Sequence, residues 1–306
     1  MTPAAAQDAP PRTPWGDPDL QGIWNSKTQT PLERPDQYAG REFLTEEEVA
    51  ALERQTFENP GRDERAERGT VADVEGAYNN IFSTFFATKV VATGRTSLIV
   101  NPSDGKIPYT AEARTRVADD AARRRATRDD ATGPEDRPSD RCLGLTLPCT
   151  SPLCAFSRIV QSPDVVTLYY EAGHWGGVYR TIALDGRPHL PSHVRQWFGD
   201  SLGRWEGDTL VVDTTNFTNR TSSMATFIGA NENLHLVERF TLVNPDRILY
   251  EATIEEPMTF TQPWTIEMTW ARGEDQQNQI FESACHEGNY ALTSILAGAR
   301  AVEGAK

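Results

Sequence analysis

Nine short candidate strands follow one another in the second half of the chain, and this run constrains the fold more than any other feature. Each is rich in β-branched and aromatic residues, and turn sequences such as Ser162-Pro163-Asp164 and Asn244-Pro245-Asp246 join most of them. No helical stretch separates them, which predicts an antiparallel meander that hides its edges by closing into a barrel. The candidate strands are 157–161, 165–171, 179–184, 204–206, 209–215, 235–241, 247–254, 264–270 and 279–284.

The first half of the chain has a different character. Residues 1–40 carry seven prolines, which indicates an extended arm on a surface, and Thr45-Glu46-Glu47-Glu48 is a capping box that predicts a helix through about Gln55. Further helices are expected at about 110–128 and 290–301. We therefore expect a mainly β protein with one structural domain. Residues 1–140 form an arm and two helices wrapped on the barrel, and 141–306 form a single antiparallel β-barrel with a C-terminal helix.

Charge and hydropathy exclude several classes of partner. The 306 residues carry a net charge of −14, which opposes binding to nucleic acid because counterion release needs a basic surface. No apolar run is long enough for a membrane-spanning helix, so no membrane insertion is expected. The Ala- and Pro-rich start is typical of what remains beyond a removed export signal, which predicts a periplasmic or secreted protein.

The four cysteines are Cys142, Cys149, Cys154 and Cys285, and none forms a CxxC pair. Their spacing argues against a zinc ribbon or a thioredoxin-like redox site, so disulfides fit better than a metal. Four cysteines allow three pairings, and the residues alone do not choose among them. Four reduced, buried thiols in a cytoplasmic protein are the alternative.

The sequence lacks the strong motifs of cofactor and metal enzymes, so we expect neither an organic cofactor nor a metal. The first candidate site is the glycine-rich loop between the second and third candidate strands. It combines an acid, a base, two aromatic rings and a cation, as a binding site at a barrel mouth would. The alternative is a plain hairpin with a stray histidine. The five residues are Glu171, His174, Trp175, Tyr179 and Arg180.

His235 and Arg239 form the second candidate site, because alternation along their strand places both on one face. If that face points into the barrel, an acid/base group lies beside a cation that binds carboxylate. If it points outward, they are a surface histidine and a cross-strand ion pair.

Three further histidines complete the set. His286 is a candidate substrate-binding residue with Tyr290, against the alternative of a capped turn tied down by a disulfide. His189 and His193 lie in a loop with two prolines, and since prolines forbid the helix that would pair the rings, we interpret both as structural.

Several strings together resemble a large, mostly uncharacterised family of exported bacterial proteins, common in acidobacteria and sphingomonads. The likeness covers nearly the whole chain. The strings are Asp19-Leu20-Gln21-Gly22-Ile23-Trp24-Asn25, Thr30-Pro31-Leu32-Glu33-Arg34-Pro35, Leu184-Asp185-Gly186-Arg187-Pro188-His189, Gly203-Arg204-Trp205-Glu206-Gly207-Asp208-Thr209-Leu210-Val211-Val212, Leu234-His235-Leu236-Val237-Glu238-Arg239-Phe240 and Ala284-Cys285-His286-Glu287-Gly288-Asn289-Tyr290.

The resemblance implies an exported protein with a lipocalin-like barrel. It also implies the disulfides Cys142 to Cys285 and Cys149 to Cys154, since the first pair matches family cysteines and the second is an addition here. Family members have a compact Glu-x-x-His-x-x-Arg motif, and this chain departs from it in the longer stretch between His174 and Arg180.

Two functions remain open. One is a cofactor-independent lyase or isomerase acting by acid/base catalysis on a hydrophobic aromatic or terpenoid molecule bound in the barrel. In it, His174, His235, Tyr179 and Glu171 are catalytic and Arg180, Arg239, Trp175, His286 and Tyr290 bind substrate. The other is a non-catalytic periplasmic carrier of the same kind of molecule, and for either function a homodimer stays open.

Overall fold

A computed structural model gives the structure of most of the chain. No helix among the residues it describes is both long enough and apolar enough to cross a membrane. The described residues are 10–26, 28, 30–57, 67, 69–71, 93–126, 131–133, 141–142, 147–150, 156–171, 177–218, 231–272, 280 and 284–304.

The described part of the chain is mainly β, with ten strands and three α-helices. The strands are β1 (Gly22–Asn25), β2 (Ile99–Asn101), β3 (Phe156–Ser162), β4 (Val165–Tyr170), β5 (Val178–Ala183), β6 (Asp200–Glu206), β7 (Thr209–Thr215), β8 (His235–Asn244), β9 (Arg247–Glu255) and β10 (Trp264–Arg272). The helices are α1 (Glu46–Phe57), α2 (Ala111–Ala126) and α3 (Ala291–Gly304).

Nine of these strands close into a barrel in the order β1, β3, β4, β5, β6, β7, β8, β9, β10 and back to β1, and β2 adds to the edge of β10. The predicted barrel is confirmed, but its ninth strand differs. That strand is β1, from the proline-rich arm, whereas residues 280 and 284 of the expected last strand are not in a strand and 279 and 281–283 lie outside the described residues. The side chain of Trp24 ties β1 to the barrel, because it is 0% exposed and belongs to the hydrophobic core formed with the other strands.

The prediction of a wholly antiparallel barrel is wrong at one position. β5 and β6 pair in parallel through Ile182 with Ser201 and Ala183 with Leu202, while the other pairings around the barrel are antiparallel. A tight hairpin can join only antiparallel strands, whereas a parallel pair needs a connection of about a dozen residues or more. The proline-rich loop 184–199 has that length, so the chain re-enters the sheet beside the end of β5 and continues in the same direction.

Large apolar side chains fill the barrel. Alternate residues of each strand point inward, as in β8, where Leu236, Phe240 and Leu242 are buried. Aromatic rings pack against one another there: the ring centroids of Tyr250 and Trp270 are 5.2 Å apart and those of Phe240 and Trp270 are 5.4 Å apart. The described interior is therefore a packed core rather than an open channel.

The three helices lie where the sequence predicts them, within one to three residues at most ends. The capping box of α1 is formed as expected, because the Thr45 hydroxyl accepts from the Glu48 N–H at 3.2 Å and the Glu48 carboxylate accepts from the Thr45 N–H at 2.8 Å. The Arg41 guanidinium binds the same carboxylate and lowers the pKa of Glu48 to about 2.

A disulfide joins Cys142 to Cys285, as the resemblance implies, across a sequence separation of 143 residues. Cys149 is also disulfide-bonded, and its expected partner Cys154 lies outside the described residues. Cross-links of this kind persist in oxidising compartments and are rare in the cytosol.

We expect the double replacement Cys142→Ser/Cys285→Ser to lower the free energy of unfolding by about 2–5 kcal/mol, because this bond closes a long loop in the unfolded chain. Urea unfolding of the variant and the parent in the absence of reductant measures the difference. An unchanged midpoint would show that the cross-link contributes nothing to stability.

Candidate functional site

The burial pattern of β8 shows that the strand face carrying the second candidate site points outward. Leu236 and Glu238 are buried inside the barrel, whereas His235 and Arg239 lie on its outer surface. The inward orientation considered for His235 is therefore wrong. The residues of β8 that face inward are Leu236, Phe240 and those that alternate with the face of His235. Arg239 donates to Glu206 at 3.0 Å, which is the cross-strand ion pair of the outward alternative.

His235 is nevertheless part of a larger cluster on that outer face. Its Nε2 lies 3.1 Å from Asp213 Oδ2 on the neighbouring strand β7, and its Nδ1 lies 3.3 Å from Glu255 Oε2 at the end of β9. The loop 184–199 brings a second imidazole to the same carboxylate, with His189 Nε2 3.0 Å from Asp213 Oδ1. Asp213 therefore bridges two histidines.

The cluster continues from His189 into the loop that carries it. His189 Nδ1 lies 3.0 Å from Asp200 Oδ2, and Arg187 donates to Asp200 Oδ1 at 2.8 Å. The Leu190 N–H also donates to Asp200 at 2.9 Å. Burial acts to raise the pKa of Asp200, but these donors outweigh it and leave the pKa lowered. The chain of contacts, called the histidine network below, is Arg187, Asp200, His189, Asp213, His235 and Glu255.

Carboxylates alternate with basic side chains along the histidine network. Both nitrogens of His235 face carboxylate oxygens, and only a doubly protonated imidazole donates to two acceptors at once. The hydrogen bond to Asp213 raises the pKa of His235 above its ordinary value of 6.5, and Glu255 acts in the same direction, while burial opposes both. The pKa of Asp213 is lowered, mainly by its hydrogen bond from His235. The two groups thus stabilise each other's charged forms.

The shifted pKa values of His235 and Asp213 make the stability of the fold depend on pH. Because the pKa of His235 is raised on folding, its contribution is complete below pH 6.5 and is lost as the pH rises through the folded pKa. Asp213 has a lowered pKa, so its contribution is lost as the pH falls below 3.8. We expect the difference in melting temperature between the parent and His235→Asn to be largest at about pH 5.5 and to shrink towards pH 9.

The measurement is thermal unfolding across this range, with His193→Asn as the control because His193 is an exposed imidazole on the loop 184–199. The control should show no such trend. A difference that grows with pH would mean that the neutral form of His235 is the one the fold stabilises.

A second polar cluster lies inside the barrel around Arg180, whose side chain is 1% exposed. Its Nη2 forms an ion pair with Glu238 at 2.5 Å, and its Nε donates to Ser201 at 2.8 Å. Thr214 accepts a further bond from Nη2, and the Tyr250 hydroxyl donates to Glu238 at 2.8 Å. These five residues with Tyr170 are called the interior cluster below.

Burial dominates the electrostatics of the interior cluster. It raises the pKa of Tyr250 and Tyr170, and the negative charge of Glu238 raises both further. Burial acts to lower the pKa of Arg180, but Glu238 outweighs it and the pKa is raised. The pair Arg180 and Glu238 is therefore a charged pair held between two neutral tyrosines.

The loop that the sequence favours as the first site is only partly described. His174 and Trp175 lie outside the described residues. The residues flanking the loop, Tyr170 and Val178, pair with each other at the start of β5, and the registers of β5 to β8 place this at the same end of the barrel as His235.

Glu171, Tyr179 and Arg180 do not share one surface. Tyr179 lies on the outer face, 68% exposed, with its ring centroid 4.4 Å from that of Tyr169, whereas Arg180 points inside. Glu171 is half-buried at the end of β4, and burial raises its pKa. The structure thus separates residues that the sequence groups together, because alternation along β5 sends neighbours to opposite faces.

His286 and Tyr290 lie at the C-terminal turn beside the disulfide. Both are exposed, and the Asn289 side chain contacts the sulfur of Cys142 at 3.3 Å. This is the capped turn of the alternative interpretation. The turn runs directly into α3.

Sequence reasoning missed His189, Asp213 and Asp200, and it assigned His189 a purely structural role. The available signal was the string Leu184-Asp185-Gly186-Arg187-Pro188-His189 directly after a strand. No group of three or more histidine, cysteine or acidic side chains among the described residues is arranged to hold a metal ion.

Fold and site together define a mixed nine-stranded β-barrel protein with a histidine–carboxylate network on its outer surface and a buried ion pair inside. Comparison of the chain with protein-family models, with curated proteins and with solved structures gave no match. The family resemblance therefore stays a prediction.

Proposed function

We propose that the protein is a cofactor-independent lyase or isomerase whose acid/base group is His235. The observation that carries this proposal is the bridging of two imidazoles by Asp213 on an accessible face of the barrel. Imidazole exchanges protons near neutral pH, and a carboxylate partner fixes the ring and tunes its pKa. The reaction is an elimination, ring opening or decarboxylation that needs only proton transfer.

Nδ1 of His235 is the reacting atom in this proposal. Asp213 holds Nε2, whereas the group facing Nδ1 is Glu255, which is 52% exposed at a distance of 3.3 Å. The longer contact to a more exposed partner is the easier one for a substrate to displace. A substrate that replaces Glu255 places its acidic proton against Nδ1, which takes that proton and returns it after bonds in the substrate have rearranged.

Asp213 and His189 position the reacting ring. Because His189 occupies Oδ1 of Asp213, the carboxylate keeps Oδ2 on His235, and the buried Asp200 fixes His189 from its other side. His189 therefore acts through Asp213 and is a positioning residue.

Arg239 supplies the cation that holds an anionic substrate group. It shares the outer face of β8 with His235, separated by one outward residue, Val237, at a Cα spacing of about 13 Å. A substrate that spans this distance presents an apolar body to Val237, a carboxylate or phenolate to Arg239 and its reacting atom to His235. Glu206, the present partner of Arg239, exchanges with that anion.

This arrangement moves catalysis from the barrel interior to its outer face. Arg180 takes no part in the proposed reaction, because its side chain is buried in an ion pair with Glu238. Tyr179 lies on the same side of the barrel wall as His235, but on β5, three strands away from β8 around the barrel. The lipocalin-like fold, the family membership and export to an oxidising compartment belong to the same proposal, and the Cys142 to Cys285 disulfide supports export.

A periplasmic carrier of a hydrophobic small molecule is the second candidate. The observation that favours it is the set of aromatic side chains that pack around a polar cluster in the barrel interior. A carrier needs apolar walls and hydrogen bonds but no titrating group at the bound molecule.

A turnover screen distinguishes the two functions. Lignin-derived aromatic acids and terpenoid acids and alcohols are incubated with the protein, with and without a chelator, and products are followed by mass spectrometry. We expect turnover that the chelator leaves unchanged. Binding without turnover would favour the carrier, and activity abolished by the chelator would overturn the cofactor-independent mechanism.

A further inference from the structure

His235 and Arg239, the two ends of the proposed substrate site, lie far apart along β8. The extended strand separates their Cα atoms by about 13 Å. Arg239 does not reach back towards His235, because its guanidinium binds Glu206. Glu206 is level with Thr241 through their shared neighbour Thr209. Thr241 follows Arg239 along β8, on the side away from His235. The side chains therefore do not shorten the distance that the strand sets.

The surface between the two ends offers no free charge. One outward side chain of β8, Val237, lies there, and its cross-strand neighbours are Asp213 on β7 and Thr253 on β9. The hydroxyl of Thr253 is hydrogen-bonded to that of Thr265 at 3.0 Å, and Asp213 is bound by two histidines. An uncharged, apolar segment of a ligand suits this middle part.

Charge limits what binds at the His235 end. The ring of His235 lies between the carboxylates of Asp213 and Glu255. A substrate that displaces Glu255 still meets Asp213 on the other side of the ring. A negative group at this end would be repelled by a like charge, so the group that meets Nδ1 is an uncharged one.

The Arg239 end has room for one anion. Arg239 forms an ion pair with Glu206 and faces Glu251 across the strand pair. An anion therefore binds there by replacing Glu206 and not in addition to it. Glu206 keeps a second cation when this happens, because Arg204 is 2.7 Å from its other carboxylate oxygen. The exchange thus leaves no carboxylate without a partner.

We propose that the substrate is an elongated monoanion with two rings in line, its one anionic group on Arg239 and an uncharged proton-donating group on His235. A single-ring acid is too short to reach both residues, and a diacid places a second negative charge beside Asp213. This inference rests on the proposed function. It narrows the reaction to an elimination or a ring opening, because a decarboxylation would place a carboxylate at the His235 end.

The test compares three probes on the full chain at neutral pH, where a phenol is uncharged. They are a biphenyl carboxylate with a hydroxyl at the opposite end, para-hydroxybenzoate, and the biphenyl with a carboxylate at each end. We expect the first to bind at least tenfold more tightly than the other two in calorimetric titrations. It should also shift the imidazole NMR signals of His235, which are assigned by their loss in His235→Asn.

Arg239→Met should weaken the hydroxybiphenyl probe about tenfold, because it removes a charge-assisted bond. The matched control is Arg158→Met, which removes an exposed arginine from the outer face of β3, four strands away, and should bind the probe as the parent does.

Three results would overturn the proposal: no binding of the hydroxybiphenyl probe, equal affinities for the three probes, or unchanged binding in Arg239→Met. These results concern length and charge and leave the role of His235 in turnover to be judged by kinetics. Conversely, the expected binding pattern without turnover of any compound in the screen would reject the catalysis and keep the binding site.

Discussion

Replacing His235 by asparagine is expected to lower kcat by a factor of about 10²–10⁴, with little change in KM. The reason is that asparagine keeps a polar group beside Asp213 but cannot take up a proton at neutral pH. Arg239 and Val237 are unchanged, so the variant still binds the anionic group and the apolar body of the substrate. Steady-state kinetics on a substrate from the turnover screen measure both parameters.

His193→Asn is the matched control, because it removes an exposed imidazole from the neighbouring loop. It should keep full activity. If His235→Asn turns over substrate as fast as the parent, His235 is not the acid/base group.

Replacing Arg180 by methionine is expected to lower the free energy of unfolding by about 3–5 kcal/mol. The substitution leaves the carboxyl group of Glu238, whose side chain is 0% exposed, without its ion-pair partner. The double variant Arg180→Met/Glu238→Leu removes both charges and should recover most of the loss, because an apolar pair of similar volume needs no desolvated charge. Urea unfolding of the parent and the two variants gives the three values.

Arg239→Met is the control for Arg180→Met. Arg239 follows Glu238 on β8 but points outward, where it pairs with Glu206 and both side chains are about 40% exposed. Exposed pairs contribute at most about 1 kcal/mol, so Arg239→Met should change stability far less than Arg180→Met. Equal losses for the two arginines would contradict the assignment of Arg180 to the barrel interior.

The local pattern of the sequence predicted most of the fold. Eight of the nine candidate strands are present, because alternation of apolar and polar residues and the turn sequences act over a few residues. The strand β1 was missed since four residues in a proline-rich arm carry too little periodicity, and only the buried Trp24 and its partners reveal it. The parallel pairing of β5 with β6 depends on the path of a long loop, which no local signal fixes.

The candidate site was predicted less well. His235 and Arg239 were correctly placed on one face, but alternation alone does not say which face is inside. Asp213 was unremarkable as one polar residue near the end of an apolar strand. Its place in the histidine network follows only from the fold, in which the loop 184–199 brings His189 into contact with it. These two residues are 24 positions apart in the sequence.

The pH dependence of kcat/KM in the parent and in Asp213→Asn tests the central claim most directly. His235 Nδ1 accepts a proton only when the ring is neutral, so the parent should lose activity as the pH falls through a pKa above 6.5. Removing the negative charge of Asp213 lowers that pKa, so the acidic limb of the variant should move to lower pH. A parent profile without an acidic limb, or a limb that Asp213→Asn leaves in place, would contradict the account.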